Sequence, residues 1–144
     1  MRRKNRNQRG AAAVEFALVL PVLVLLLVGI IEFSLALYDK AVITNASREG
    51  ARAGILFRDP ALTDSEMTNL VNGVVTNYCQ TRMITFGSPA DVTTTVEREA
   101  IASGDGLKVN VRYNYQFLVI PRFVADLKDT VQLELGAQTI MRME

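Results

Sequence analysis

The chain of 144 residues has no histidine and a single cysteine, Cys79. An internal disulfide is therefore excluded, and the imidazole group that serves so many catalytic and metal sites is missing. The sequence also contains no P-loop, no G-x-S-x-G motif and no paired metal-ligand spacing. We therefore expect neither an enzyme nor a metal or other cofactor.

Charge is absent from one long stretch of the chain. No residue between Phe16 and Ile31 is charged, and Glu32 is followed by the mostly apolar sequence FSLALY. As a single helix, residues 11–38 measure roughly 42 Å, enough to cross the ~30 Å hydrocarbon layer with some tilt. We expect a transmembrane helix here, with a kink at Pro21 and with Glu32 hydrated at the outer boundary.

The net charge of +1 conceals a strong asymmetry. Five basic residues lie within the first ten, whereas the rest of the chain carries more acidic than basic groups. The positive-inside rule predicts that the N-terminus stays in the cytoplasm and that the remainder crosses outward. A short basic block joined to an apolar helix indicates membrane topology, and we expect no binding to nucleic acid.

Three interpretations compete for the first 38 residues. A secretory signal peptide cut after Ala36 would have an apolar run that is too long and that contains Glu32. A permanent, uncleaved anchor fits the length but does not explain the arrangement from Gly10 to Phe16. The third is a basic leader, residues 1–10, cut on the cytoplasmic side after Gly10, so that the helix stays in the mature protein.

An extracytoplasmic domain is expected at residues 39–144, able to fold without its anchor. The first helix continues to residue 57 with one face of small residues, which lets another backbone approach closely. The partner of this face is either the protein's own sheet or a second subunit. The face comprises Ala46, Gly50, Ala53 and Gly54.

The remaining pattern predicts one more helix and three strands. Thr63 and Glu66 have the spacing of a capping box, and apolar residues at helical spacing follow, so a helix is expected over 64–79. β-Branched residues predict a strand at about 91–98, and alternating apolar residues predict strands at about 107–118 and 130–141, with a hairpin connection at 102–106 between the first two. The expected fold class is α+β: a long N-terminal transmembrane and amphipathic helix packed on a small antiparallel sheet.

Three stretches resemble one known family. RGAAAVEF, residues 9–16, resembles the prepilin-peptidase site of type IV pilins, in the form associated with the Tad (tight adherence) pilus system. ASREGARAG, residues 46–54, is similar to the pattern that follows the membrane helix in TadE-like proteins, and the C-terminal LGAQTIMRME resembles that family's closing strand.

The resemblance implies cleavage between Gly10 and Ala11, with Phe16 just inside the apolar phase. Glu15 would become the fifth residue of the mature chain and attract the freed amine of a neighbouring subunit. The alternative is that Glu15 only offsets the helix macrodipole, as acidic residues near a helix N-terminus do.

The resemblance further implies a minor pilin or pseudopilin acting in pilus biogenesis, adhesion or secretion, since the major pilins of that system are little more than the helix. The protein would sit in the bacterial inner membrane with its domain in the periplasm or outside, or in the pilus itself. Its partners would be a prepilin peptidase, other pilins, the pilus assembly platform and membrane lipid. A stand-alone, membrane-anchored envelope protein with a protein-binding domain is the other possibility.

Overall fold

The computed structural model describes residues 6–56, 62–85, 90–102, 104–117 and 132–143, with all side chains in these ranges except those of 6–9, 101 and 132. Two helices precede three strands: α1 (Arg6–Ile55), α2 (Asp64–Arg82), β1 (Val92–Ile101), β2 (Gly104–Gln116) and β3 (Gln132–Arg142). Residues 1–5 of the predicted leader and residue 57, the predicted end of the first helix, lie outside the described residues.

Helix α1 has 50 residues and is continuous from the basic N-terminal segment into the folded domain. At 1.5 Å per residue it is about 75 Å long. Pro21 lies inside this helix without ending it. A bend at Pro21 stays a prediction, because a helix can continue through proline when it only loses one hydrogen bond.

Helix α2 begins with the predicted capping box, which the structure confirms. The Thr63 side chain accepts from the backbone N–H of Glu66, and the Glu66 carboxylate accepts from the N–H of Thr63 at 2.9 Å. The helix runs three residues beyond the predicted end, and the N–H of Met83 closes it by donating to the Cys79 carbonyl at 2.8 Å. Its buried face consists of Met67, Val71, Val75 and Cys79.

The three strands form one antiparallel sheet in the order β1-β2-β3. Ile101 pairs with Gly104, so the hairpin connection is shorter than the predicted segment 102–106. Gly104 has a φ of +125°, which only glycine adopts readily, and this allows the tight reversal. The inward residues of β2 alternate as predicted: Leu107, Val109, Val111, Tyr113 and Tyr115 are all buried.

One face of the sheet forms the core with both helices. Helix α1 contacts β2, β3 and α2, and α2 also contacts β1. Ile43 of α1, Val71 and Val75 of α2, and Leu107 and Val109 of β2 are inaccessible to solvent at the centre. A long apolar N-terminal helix packed on a small three-stranded antiparallel sheet is the predicted α+β arrangement, and it is confirmed.

Candidate processing and assembly site

Gly10 and Ala11 lie in the second turn of α1, and both are exposed. Within the part of the chain that the structure describes, a Cβ atom added to Gly10 would meet no heavy atom within 4 Å. The fold therefore does not require glycine at this position, and an alanine would favour the helix by about 1 kcal/mol. A requirement for Gly10 must come from a molecule that binds this segment.

The start of α1 is the electrostatically weakest part of the helix. Its first turn contains no acidic residue, while the sequence places Arg6 and Arg9 there. Positive charge at a helix N-terminus opposes the macrodipole by about 0.3–1 kcal/mol per residue. This unfavourable turn immediately precedes Gly10 and Ala11.

Glu15 and Phe16 follow one turn after Ala11. Both are exposed, Phe16 to 64%. Residues i and i+4 lie on the same side of a helix, so Glu15 lies on the same side as Ala11. If the chain began at Ala11, the carboxylate of Glu15 would stand close to a positively charged amine and to the positive end of the helix dipole.

The first part of α1 beyond Gly10 carries a long exposed apolar surface. Large side chains from Val14 to Leu27 are 42–72% exposed, and no residue of the most apolar stretch is buried. Among the described residues α1 is the one helix long and apolar enough to cross a membrane. We call residues 11–31 the apolar half of α1 and residues 32–55 the domain half.

The small-residue face of the domain half packs inside the same chain. A Cβ on Gly50 would lie 2.7 Å from Cγ2 of Val75, and a Cβ on Gly54 would overlap the Leu107 side chain. Ala46 is completely buried and Ala53 half-buried. In this structure, small residues therefore let the α1 backbone approach α2 and β2, which is the own-domain alternative for this face.

Two acidic side chains are buried on α1, and sequence reasoning missed both. The expectation that Glu32 is hydrated is wrong, because Glu32 is 2% exposed. The domain already covers the helix at this level: the Tyr115 hydroxyl donates to the Glu32 carbonyl at 3.4 Å. Asp39 is fully buried and accepts from the Ile84 N–H at 3.1 Å through Oδ1, while Oδ2 has no hydrogen-bond partner among the described residues.

Burial controls the protonation of the groups around Asp39. Burial raises the pKa of the Asp39 carboxyl, and the bond from Ile84 opposes this shift. Burial, assisted by the charge of Asp39, raises the pKa of the Cys79 thiol to about 11. Burial and the nearby carboxylates of Glu32 and Asp39 raise the pKa of Tyr115 to about 12. Thiol and phenol thus stay protonated at neutral pH, so neither is an activated nucleophile.

A signal for the buried acids does exist in the sequence. Glu32 and Asp39 are seven residues apart, and steps of four and three residues connect them through Ala36 and Ile43 to Ala46. This is the spacing of a continuous helix face. If the small-residue face is extended towards the N-terminus, both carboxylates lie on it.

An exposed apolar helix joined to a folded α+β domain is typical of proteins held by a single-pass membrane anchor. Residues 10–52 match the family of TadE-like proteins, which confirms the predicted resemblance over that segment. The match begins at Gly10, covers less than a third of the chain and leaves the resemblance of the C-terminal strand untested. No curated protein and no solved structure matches the chain.

Proposed function

We propose that this protein is a minor pilin or pseudopilin of a Tad-type pilus system, cleaved between Gly10 and Ala11 by a prepilin peptidase. The observation that carries the proposal is the family match, which starts at Gly10 and runs through Glu15 and the apolar half into the domain half. Its partners would be other pilins, the assembly platform and membrane lipid. Its role would be in pilus biogenesis or adhesion.

The surroundings of Gly10 support a role in processing. No described residue occupies the space beside it, so packing within the described fold gives no reason for a glycine. A protease that cleaves a membrane-embedded helix must bring its own groups against the scissile backbone, and the absence of a side chain permits this. The first turn, which immediately precedes that backbone, contains no acidic residue to favour the helix, and local unwinding there would expose the scissile bond.

Cleavage would also change the electrostatics of Glu15. Cleavage by the peptidase would remove the leader with its positive charges and leave an amine at Ala11, one turn before Glu15. An ionisable group on a membrane helix is unfavourable without a partner, and such groups are usually functional. The amine of a neighbouring subunit would supply that partner during assembly, and the basic leader would hold the N-terminus in the cytoplasm before cleavage.

The cleavage proposal is tested with Gly10→Val in the host cell. We expect processing to stop while membrane insertion persists, because the apolar half is unchanged. Gly29→Val is the matched control, since a Cβ on Gly29 also meets nothing within 4 Å. The readouts are gel mobility and N-terminal sequencing. A mature Ala11 terminus in the Gly10→Val protein would contradict the proposal.

The assembly role of Glu15 is tested separately with Glu15→Ala. We expect cleavage and insertion to continue, because the helix only becomes more apolar, but incorporation with other pilins should fall. Co-purification with pilus components measures this. If the variant co-purifies and supports piliation like the wild type, Glu15 only compensates the helix dipole.

A stand-alone, membrane-anchored envelope protein is the second candidate. The small-residue face supports this candidate. Gly50 and Gly54 pack against α2 and β2 of the same chain rather than against a second subunit. N-terminal sequencing separates the candidates: Ala11 indicates a processed pilin, and Met1 a permanent anchor. A terminus at Leu37 would indicate a released domain, but that cut would remove Glu32 and Ala36, which are buried against the domain.

A further inference from the structure

We infer that the end of the domain nearest the apolar half rests directly on the bilayer through a ring of exposed apolar side chains, the interfacial collar. Three of its residues lie on α1 and two lie on the domain: Phe33, Leu37, Tyr38, Ile84 and Leu133. Its partner is the headgroup and upper acyl region of the lipid surface. The inference rests on the membrane anchorage in the proposed function.

The length of the apolar half leaves no spacer between bilayer and domain. Residues 11–31 measure about 31 Å, which matches the ~30 Å hydrocarbon layer. The very next residue, Glu32, is buried by the domain, with the Tyr115 hydroxyl at its carbonyl. If the lipid-covered part instead extends towards Tyr38, the domain sinks deeper. In both cases the domain meets the headgroup layer.

The domain brings apolar side chains to this level from two elements. Ile84 follows α2, and its N–H bonds to Asp39, while its side chain is 39% exposed. Leu133 pairs in register with Tyr115, which reaches Glu32, and Leu133 is 37% exposed. Glu32 and Asp39 span about 10 Å along the helix, comparable with a headgroup layer of several ångströms.

The α1 surface at the same level continues the exposed surface of the apolar half. Phe33, Leu37 and Tyr38 are 62%, 54% and 46% exposed. Aromatic residues are enriched at membrane interfaces, where one end of the ring is apolar and the other is wet. Higher on α1, the exposed residues become polar at Asn45 and Arg48, so the collar has a defined upper edge.

Positive charge lies next to the collar. Arg82 is exposed at the end of α2, two residues before Ile84, and its guanidinium carbon lies 4.1 Å from the centre of the Tyr78 ring. Such side chains keep their stem on apolar surface and their charge in the headgroup layer. Continuity with the apolar half and this charge select lipid, rather than a second copy, as the occupant.

The chain contains no tryptophan, so each introduced tryptophan is a specific fluorescent probe. Full-length protein is reconstituted in phosphatidylcholine vesicles, part of whose lipid carries bromine high on the acyl chain. Ile84→Trp and Leu133→Trp report on the collar. Val24→Trp is the control for insertion of the apolar half, and Asn45→Trp, about 20 Å above Ile31 along α1, is the control for water exposure.

Brominated lipid should quench both collar probes strongly and leave Asn45→Trp nearly unchanged. If Val24→Trp is quenched but both collar probes stay unquenched, the collar is overturned while the anchor stands. Equal quenching of Asn45→Trp and the collar probes overturns the defined edge. An unquenched Val24→Trp overturns the anchor and the collar together. Circular dichroism of each variant verifies the fold.

Discussion

The two halves of α1 are parts of one helix, yet they place their side chains in different surroundings. In the apolar half the large side chains are exposed, and a Cβ on Gly29 would meet nothing. In the domain half, Gly50 and Gly54 are pressed against neighbouring side chains, and two carboxylates are buried. Glycine therefore has open space beside it at Gly29 but is closely packed at Gly50 and Gly54.

This difference shows where each half obtains its stability. The domain half is held by direct packing within the chain. Protein interiors are so densely packed that even one extra methyl group lowers stability. In the apolar half, by contrast, the large side chains from Val14 to Leu27 are exposed, and no residue of the most apolar stretch is buried among the described residues. A substitution in the domain half should therefore change the stability of the fold, and one in the apolar half should leave that stability nearly unchanged.

The largest effect on folding is expected for Gly54→Val. Its Cβ would overlap Leu107 and lie 3.1 Å from Val71, so the core must shift, which typically lowers the free energy of unfolding by about 1–3 kcal/mol. Thermal unfolding in detergent, followed by circular dichroism, measures it. Gly29→Val is the control and should stay close to the wild type. If the two variants were equally stable, the proposed difference in packing between the two halves of α1 would be contradicted.

A smaller effect, visible in its pH dependence, is expected for Asp39→Asn. Burial raises the pKa of Asp39 above its ordinary value of 3.8, so between the two values the folded protein binds more protons than the unfolded chain. This contribution therefore makes stability fall as pH rises from 3.8 through the folded-state pKa. Asparagine keeps an oxygen for the Ile84 N–H and removes the charge.

The Asp39→Asn protein should lose that decline and be more stable than the wild type at neutral pH. Denaturant unfolding at a series of pH values measures both quantities. Asp91→Asn, at an exposed position, should keep the wild-type profile. A neutral-pH loss of stability in Asp39→Asn would show that the buried charge is compensated by more than the Ile84 bond.

The smallest effect is expected for Ser47→Ala. Ser47 donates its hydroxyl proton to the Thr44 carbonyl at 2.9 Å. Its oxygen then accepts a hydrogen bond from the Thr139 hydroxyl at 2.7 Å, and this bond links α1 to β3. Removal of the Ser47 oxygen should lower the free energy of unfolding by about 1 kcal/mol. Ser34→Ala removes an exposed hydroxyl that bonds only within its own helix, at Ile30, and should change little. Chemical denaturation resolves a difference of this size.

Local patterns predicted the elements well because local physics determines them. The capping box at Thr63 and Glu66 needs only a spacing of three residues, and the alternation along β2 needs only the pleat of a strand. Burial of Glu32 and Asp39 depends on Tyr115 and Ile84, which are distant in sequence. The helical spacing places both carboxylates on the small-residue face, but it does not show that the domain reaches as far as Glu32, so the prediction for Glu32 was wrong.

The candidate site also contains one part that the sequence predicted and one part that required the structure. The pattern from Gly10 to Phe16 is visible in sequence because it occupies one short segment, and the family match begins there. The close contacts of Gly50 and Gly54 required the structure, since a small residue on a helix is compatible with many partners. Only the three-dimensional arrangement identifies α2 and β2 as those partners.

The continuity of α1 also has a mechanical consequence. Because one helix is both the anchor and a wall of the core, with no hinge segment between them, any tilt in the bilayer becomes a displacement of the domain. Ile55 stands about 36 Å above Ile31 along the helix axis. A tilt of about 20°, the average for membrane helices, would displace that end sideways by about 12 Å. The helix is thus a lever arm, and a force applied to the domain acts on the bilayer-embedded segment as a torque.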